Sequence, residues 1–405
     1  MVSPRRTAND SSASQGPRLN AVGLFAGVGG LELAMSRAGH QTVGLCEIDD
    51  AALSVLRDRF PGVELCRNIE DYDSLPANVE LVTAGFPCQD LSQAGHTLGI
   101  NHGASRSGLV GEVIRLLLSH DPEWVLLENV PFMLQLARGE SLAVLIGALE
   151  DLGFRWAYRV INTLAFGIPQ RRERVYLLAS RHRDPRDVLL ADDVGEPEPR
   201  VWTKDVAAGF YWTEGRGGLG WAVDAIPTLK SGSTIGIPSP PAIALPTGEV
   251  VMPGIRDAER LQGFPPDWTR PAAEEHSANV RWRLVGNAVT VDVAEWIGRR
   301  LRSPGNYVGS LDTPLVVGGR WPKAAYNVGE GRFLAQCSAW PVNRKQTPLH
   351  EFLNRAEAKP LSLKATSGFL SRYEAGGLRK NARFLHMVRE HRQRMEDRVL
   401  VATGD

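Results

Sequence analysis

Cysteine is scarce in this sequence, and its few cysteines are not paired. The 405 residues include four, far apart and without a C-x-x-C pair: Cys46, Cys66, Cys88 and Cys337. This spacing argues against a disulfide framework and against a zinc site, because both need ordered sets of cysteines. We therefore expect a protein of a reducing cytoplasm, with no metal ion.

Long apolar runs are also missing. No stretch approaches the roughly 18 apolar residues of a membrane span, so no membrane partner is expected. Residues 1–18 contain arginines but no apolar segment behind them, which is unlike a secretory signal, and we predict a disordered lead-in there. The remaining composition, 43% hydrophobic and 23% charged, is typical of a globular protein.

The chain has no net charge, but its charges are unevenly distributed. Residues 1–300 hold 29 Lys and Arg against 37 Asp and Glu, whereas residues 301–405 hold 17 against 9. A basic segment on an acidic body predicts a polyanionic partner on one side of the molecule.

Short apolar segments alternate with amphipathic ones over the first 180 residues. Strands are predicted at 21–25, 41–49, 79–87, 124–130 and 174–180. Helices are predicted at 31–39, 50–59, 110–119 and 292–302. This alternation predicts an α/β fold with a doubly wound, mostly parallel, Rossmann-like sheet, in which ligands bind at the carboxyl ends of the strands.

Composition changes divide the chain further, and we predict five segments. They are the lead-in (1–18), a catalytic and cofactor-binding domain (19–180), a small variable region rich in Gly and Pro (181–255), a return to the catalytic domain (256–302) and a basic, partly helical extension (303–405).

A glycine-rich turn follows the first predicted strand. Glycines between Phe25 and Gly30 let the backbone approach a ligand closely, and the start of the next helix favours negative groups there. Glu47 ends the following strand, where a carboxylate can hold the hydroxyl pair of a ribose. Together they indicate a nucleoside cofactor.

Two further strand ends carry reactive side chains. Cys88 follows Pro87 and precedes a loop with the composition of a mobile lid (95–108), whereas the other cysteines are interpreted as inert apolar residues. Glu128 ends an apolar strand, where a carboxylate is costly unless it has a partner or a chemical task. Arg172 and Arg174 alternate along the last strand and so point the same way, towards a carboxylate, a phosphate or a base.

The motifs GFPCQ (85–89), ENV (128–130), QRRER (170–174), RLQGFP (260–265) and GNAV (286–289), in this order behind LFAGVGG, resemble those of the DNA cytosine-5 methyltransferases. The resemblance covers residues 19–300 and implies methyl transfer from S-adenosyl-L-methionine to carbon 5 of a cytosine flipped out of double-stranded DNA. It implies that Cys88 is the nucleophile, that Glu128 stabilises the attacked base, and that Arg172 and Arg174 assist.

The resemblance also assigns the binding residues. Those implied for the cofactor are Phe25, Gly27, Gly29, Glu47, Ile48, Asn68, Ile69, Pro87, Leu109, Asn287 and Val289. Those predicted for DNA are Gln89, Ser92 and Gln170, with Arg379 and Arg383 added from the basic extension.

Two departures from the family pattern affect these expectations. Asn68 stands where the family usually has Asp, so we expect somewhat weaker cofactor binding. The variable region leaves only about residues 181–224 for target recognition, while a long basic segment follows GNAV. Target reading by residues 303–405 is therefore expected, and the alternative is that this segment is a dimerisation or stabilising appendage.

Three other functions fit the sequence less well. A catalytically silent DNA-binding relative would lack Cys88 or Glu128, and a dehydrogenase would lack GFPCQ and ENV. An RNA methyltransferase of the same chemistry has no need of the basic extension. We expect a prokaryotic or phage enzyme, monomeric on DNA, that acts alone or beside a separate restriction endonuclease.

Overall fold

The structure, a computed structural model, describes residues 16–86, 108–232, 238, 240–316 and 320–403. Its strands are β1 (Asn20–Leu24), β2 (Gln41–Cys46), β3 (Glu64–Cys66), β4 (Leu81–Ala84), β5 (Trp124–Asn129), β6 (Arg155–Asn162), β7 (Gln170–Arg171), β8 (Glu173–Ser180), β9 (Ala208–Phe210), β10 (Ala222–Val223), β11 (Ile226–Pro227), β12 (Ala242–Ala244), β13 (Val250–Met252), β14 (Thr313–Pro314), β15 (Ala324–Asn327), β16 (Arg332–Leu334) and β17 (Lys359–Pro360).

The helices largely follow the predicted ones in the first half of the chain. They are α1 (Gly30–Arg37), α2 (Asp50–Arg59), α3 (Leu109–Ser119), α4 (Glu140–Asp151), α5 (Arg186–Leu189), α6 (Ile255–Arg260), α7 (Arg270–Glu275), α8 (Val280–Asn287), α9 (Val291–Arg302), α10 (Leu349–Phe352), α11 (Leu363–Ala375) and α12 (Ala382–Thr403). Within the described residues, none of them is long and apolar enough to cross a membrane.

Within the described residues, the main sheet has ten strands in the order β14-β16-β15-β6-β8-β5-β4-β1-β2-β3. Along this order, the neighbouring strands β3, β2, β1, β4 and β5 pair in parallel. The other neighbouring pairs, from β5 through β8, β6, β15 and β16 to β14, are antiparallel. The α/β fold class is confirmed, but β8, expected to continue the parallel series, runs antiparallel to both neighbours, and β6 was not predicted.

Helices cover both faces of the main sheet, as a doubly wound fold requires. On one face α1 and α9 bury Leu31, Met35 and Ile297 against the sheet. On the other face α3 and α4 bury Leu116 and Leu145. Because both faces are covered, the catalytic side chains can reach solvent and substrate only at the ends of the strands.

A second unit, which we call the small lobe, consists of the described residues between 202 and 252 together with residues 359–403. In the described part of the chain its sheet has five strands, in the order β10-β9-β12-β13-β17, and α11 and α12 pack on it. Its core is aromatic: the ring centroids of Phe210 and Phe384 lie 5.0 Å apart, and Phe369 and Tyr373 stack at 5.6 Å.

The extension after residue 302 is thus divided between the two units. Its first part adds β14, β15 and β16 to the main sheet, and its last part completes the small lobe through β17, α11 and α12. The variable region and the basic extension, the two alternative predictions for target reading, share one hydrophobic core.

Candidate active site

Glu128 lies at the carboxyl end of β5, opposite Tyr176 of β8. The residue is only 7% exposed, and its carboxylate oxygen Oε1 is 3.1 Å from Nε of Arg174. That pair lacks hydrogen-bond geometry, and Glu128 Oε1 has no hydrogen-bond partner among the described residues. A buried, incompletely satisfied carboxyl is costly to keep unless a ligand completes it.

Burial is also the main influence on the protonation of Glu128. It raises the pKa of Glu128 above its ordinary value, and the nearby guanidinium groups of Arg174 and Arg172 oppose that rise. The carboxyl group therefore keeps its proton to a higher pH than an exposed glutamate would. A group of this kind can donate a hydrogen bond to a base.

Arg172 is more deeply buried than Arg174 and has a different set of partners. Its guanidinium donates to the carbonyls of Leu229 (3.2 Å), Gly286 (3.4 Å) and Ala288 (2.7 Å). Burial lowers its pKa to about 9, and the like charge of Arg174 acts in the same direction. Arg172 thus ties the residue before β8 to the GNAV segment, and its guanidinium is directed to backbone carbonyls.

The chain leading to Cys88 enters this site from the end of β4. A Cβ placed on Gly85 would lie 3.8 Å from Oε2 of Glu128 and 3.8 Å from the side chain of Val289. Asn129 donates through Nδ2 to the carbonyl of Phe86 at 3.0 Å, which fixes the start of the following segment. Pro87, Cys88, Gln89 and Ser92 themselves lie outside the described residues.

The predicted cofactor turn has the backbone that a close approach requires. Phe25 has φ of 53°, Gly27 of 56° and Gly29 of 80°, all in the left-handed region that favours glycine. A Cβ on Gly27 would meet nothing within 4 Å, so this glycine faces open space. Glu47 accepts from the Gly27 amide at 2.7 Å and thereby holds the turn against the end of β2.

Residues beside Glu47 differ in what they expose. Ile48 is 68% exposed, so its apolar side chain is open to a ligand. Asn68 accepts from the Glu70 amide at 3.2 Å, and Ile69 is buried in the core. Leu109 begins α3 and is partly buried against that same core.

The GNAV segment closes the gap between the turn and the catalytic residues. Asn287 ends α8 and is exposed. A Cβ on Gly30 would lie 3.3 Å from the carbonyl oxygen of Val289. Since the side chain of Val289 would also lie 3.8 Å from a Cβ on Gly85, Val289 borders both the end of the cofactor turn and the end of β4.

Sequence reasoning did not predict the buried amide pair that holds this arrangement together. Gln170 donates to the Leu261 carbonyl at 2.6 Å and accepts from the Leu229 amide at 2.9 Å. Gln262, from RLQGFP, donates to the carbonyls of Val285 and Ala288. Gln170 is fully buried, so its side chain is not available for the predicted DNA contact in this structure.

Arg379 and Arg383 lie in the small lobe, away from the catalytic residues. Both line a cleft of about 610 Å³ with Lys380, Trp221 and other residues. The guanidinium of Arg383 stacks over the ring of Trp202 at 4.6 Å. The cleft therefore combines positive charge with aromatic surface.

Comparisons with known proteins point to one family. The family model for C-5 cytosine-specific DNA methylases matches residues 19–206. Type II methyltransferase M2.BsuMI of Bacillus subtilis is 46% identical over 366 residues, covering 87% of this chain and 93% of that protein. Type II methyltransferase M.NlaX of Neisseria lactamica is 30% identical over 312 residues, covering 70% and 96%. Among solved structures, an S. pombe Dnmt2 methyltransferase shares 16% identity with a TM-score of 0.46, covering 69% of this chain and 97% of that one.

The match to the relative at 46% identity covers nearly the whole length of that relative. The family model covers the segments that contain the predicted cofactor turn, Glu128 and Arg174. This chain therefore belongs to the C-5 cytosine-specific DNA methylase family and is a DNA (cytosine-5)-methyltransferase.

Proposed function

We propose that this enzyme methylates carbon 5 of a cytosine flipped out of a specific double-stranded DNA sequence, with Cys88 as the nucleophile and S-adenosyl-L-methionine as the methyl donor. One observation supports this most strongly. Gly85, three residues before Cys88, lies next to Glu128 and Val289, and Glu128 in turn lies 3.1 Å from Arg174. Nucleophile, acid and cofactor turn can therefore act on one base.

The proposed chemistry solves a problem of reactivity, because carbon 5 of cytosine is a weak nucleophile. The Cys88 thiolate adds to carbon 6, which moves the 5,6 electron pair onto carbon 5 and lets that carbon take the methyl group. Loss of the proton from carbon 5 then restores the double bond and expels the thiolate. Arg174 adds positive charge at this edge of the sheet, which favours a thiolate.

Glu128 would act on the opposite side of the ring. Its raised pKa favours the protonated carboxyl, which can donate to ring nitrogen 3 while its other oxygen accepts from the exocyclic amine. These hydrogen bonds strengthen as negative charge develops on the ring during thiolate addition. The base completes the unsatisfied oxygen of Glu128 at the same time.

The residues of the glycine turn fit S-adenosyl-L-methionine, which supplies a methyl group on a positively charged sulfonium. Gly27 leaves room for the backbone to approach it, Glu47 can hold its ribose, and exposed Ile48 can cover its adenine. Asn287 and Val289 would complete the pocket. Glu47 already accepts hydrogen bonds from the amides of Gly27, Ile48 and Asp49, so the pocket is preformed.

For target reading we propose the small lobe as a whole. Arg379, Lys380 and Arg383 have no ion-pair partner in the part of the chain that the structure describes, and they border aromatic surface. Unpaired cations of this kind suit phosphates and bases. The helix that carries Arg383, α12, packs on strands of the variable region, so both segments hold these cations in place.

The names of two relatives bear on the biological setting, because both are Type II methyltransferases. We propose that this enzyme is the modification enzyme of a restriction-modification system with a separate endonuclease, or a solitary or phage enzyme. We also propose that it acts as a monomer in the cytoplasm.

The test is transfer of tritiated methyl groups to duplex DNA and, in parallel, to transfer RNA. Methylation of DNA at defined cytosines, located by bisulfite sequencing of DNA from cells that express the protein, is the expected result. Methylation of transfer RNA alone would overturn the proposal.

A further inference from the structure

The basic extension contributes residues to the small lobe and also to one edge of the main sheet, which we call the catalytic edge. β15 runs antiparallel to β6, and β6 runs antiparallel to β8. The residues just before β15 therefore lie at the same edge as the end of β6 and the start of β8. This is the edge at which Glu128 and Arg174 meet.

The segment from Arg320 to Lys323 is held firmly at that edge. Trp321 is buried and donates through Nε1 to the carbonyl of Gly139 at 2.9 Å. Tyr158 donates to the carbonyl of Pro322 at 2.9 Å, and the amide of Val160 donates to the carbonyl of Lys323 at 2.7 Å. These contacts fix the backbone, so the two flanking cations are presented in a defined place.

Arg320 and Lys323 point their charges into solvent. Arg320 is exposed and has no ion-pair partner in the described ranges of the chain. Lys323 is 59% exposed, and its ammonium is 3.9 Å from a Glu173 oxygen and 3.8 Å from one of Glu196. Ion pairs this long and exposed contribute little to stability, so Lys323 can give them up to bind an anionic ligand.

The two cations border a groove of about 480 Å³ that begins next to the ENV motif. Pro131, which follows that motif, and Gln135 form part of its wall. No residue of the small lobe lines this groove among the described residues. Arg320 and Lys323 line the groove together with one carboxylate, Glu173, so it carries a net positive charge and is separate from the cleft around Arg383.

We propose that Arg320 and Lys323 bind phosphates of the substrate DNA beside the target cytosine. This inference rests on the proposed function. The site would hold the duplex at the catalytic edge while the small lobe reads the sequence. Phosphate contacts carry no sequence information, so this contribution should be equal on all DNA sequences.

The test uses a double variant in which both Arg320 and Lys323 are replaced by Ala. It is compared with a control variant, Arg183→Ala. Arg183 is exposed just beyond the opposite end of β8, so its loss changes charge without touching the catalytic edge. If the two side chains contact two phosphates, the slope of log affinity against log salt concentration should become shallower by about 1.8 in the double variant. DNA affinity at 0.1 M salt should fall on the order of tenfold or more. Turnover at saturating DNA should stay near that of the wild type.

The outcomes separate this proposal from the function on which it rests. A double variant with the salt dependence of Arg183→Ala, in an enzyme that otherwise binds and methylates DNA, would overturn the phosphate site alone. A wild type that neither binds nor methylates DNA would instead refute the proposed function. Thermal unfolding of each variant shows whether the fold is retained.

Discussion

The catalytic edge and the small lobe of this enzyme are built in different ways. At the catalytic edge, buried polar side chains such as Arg172 and Gln262 hold neighbouring segments by hydrogen bonds to backbone carbonyls. In the small lobe, two distant segments are joined by an aromatic core around Phe384, and the cations remain at the surface. Chemistry needs side chains fixed in place, whereas recognition needs a stable platform whose surface can vary.

The largest expected effect separates the two regions. Cys88→Ser should abolish turnover, because an alcohol is far less available than a thiol as an anion near neutral pH. DNA affinity should change little, since the small lobe is untouched. Methyl-transfer assays and DNA titrations measure the two effects. Comparable methylation by the variant would show that the nucleophile is misassigned.

The next effect concerns the fold of the small lobe. Phe384→Ala should cost about 3–5 kcal/mol of unfolding free energy, because it empties the centre of the aromatic core. Chemical denaturation measures that loss. DNA binding should weaken while cofactor binding persists. His386→Ala, on the exposed side of the same helix, should stay within about 0.5 kcal/mol of the wild type. Equal behaviour of the two variants would contradict the shared core.

Glu128→Gln should slow methyl transfer by on the order of 10² or more, the usual contribution of a positioned acid. Cofactor affinity should hardly change, because Glu128 does not reach the glycine turn. Single-turnover rates and calorimetric binding of S-adenosylhomocysteine would measure the two quantities.

Glu47→Ala provides the contrasting variant. It removes the acceptor of the Gly27 amide and should raise the Michaelis constant for S-adenosyl-L-methionine more than it lowers the turnover number. Parallel losses in the Glu128 and Glu47 variants would mean that acid and cofactor roles are not separate.

The smallest effects are expected at the surface of the small lobe. Arg379→Ala and Arg383→Ala should each weaken DNA binding several-fold and flatten its salt dependence by about 0.9, if each contacts one phosphate. Competition binding on DNA of varied sequence distinguishes phosphate contacts, which act equally on all sequences, from base contacts, which relax one position. Unchanged affinity in both variants would remove this cleft from the DNA interface.

Deletion of residues 303–405 would not give a clean test of DNA contact. It would remove β14, β15 and β16 from the main sheet and half of the core of the small lobe. Point variants at exposed cations are needed instead.

Much of the catalytic sheet could be predicted from sequence, because its strands are apolar and locally distinct. β6 could not, since its central Arg159 reads as a solvent-exposed residue. In the structure Arg159 is buried and pairs with Asp193 at 2.7 Å. The two-residue strands of the extension carry no local signal, because distant partners determine their pairing.

The site was predicted residue by residue, but not the direction of every side chain. The alternation that placed Arg172 beside Arg174 also places Gln170 on the same side, towards the interior. Nothing local revealed that the partner there is Gln262, whose segment lies far along the chain.

The central claim, that Cys88 attacks the cytosine, is tested most directly by trapping with duplex DNA that carries 5-fluorocytosine at the target. Fluorine at carbon 5 cannot leave as a proton does, so the covalent complex accumulates in the presence of S-adenosyl-L-methionine. The account predicts an adduct that survives denaturing electrophoresis for the wild type and none for Cys88→Ser. A wild type that methylates ordinary DNA but forms no adduct, or an adduct with the serine variant at wild-type yield, would contradict it.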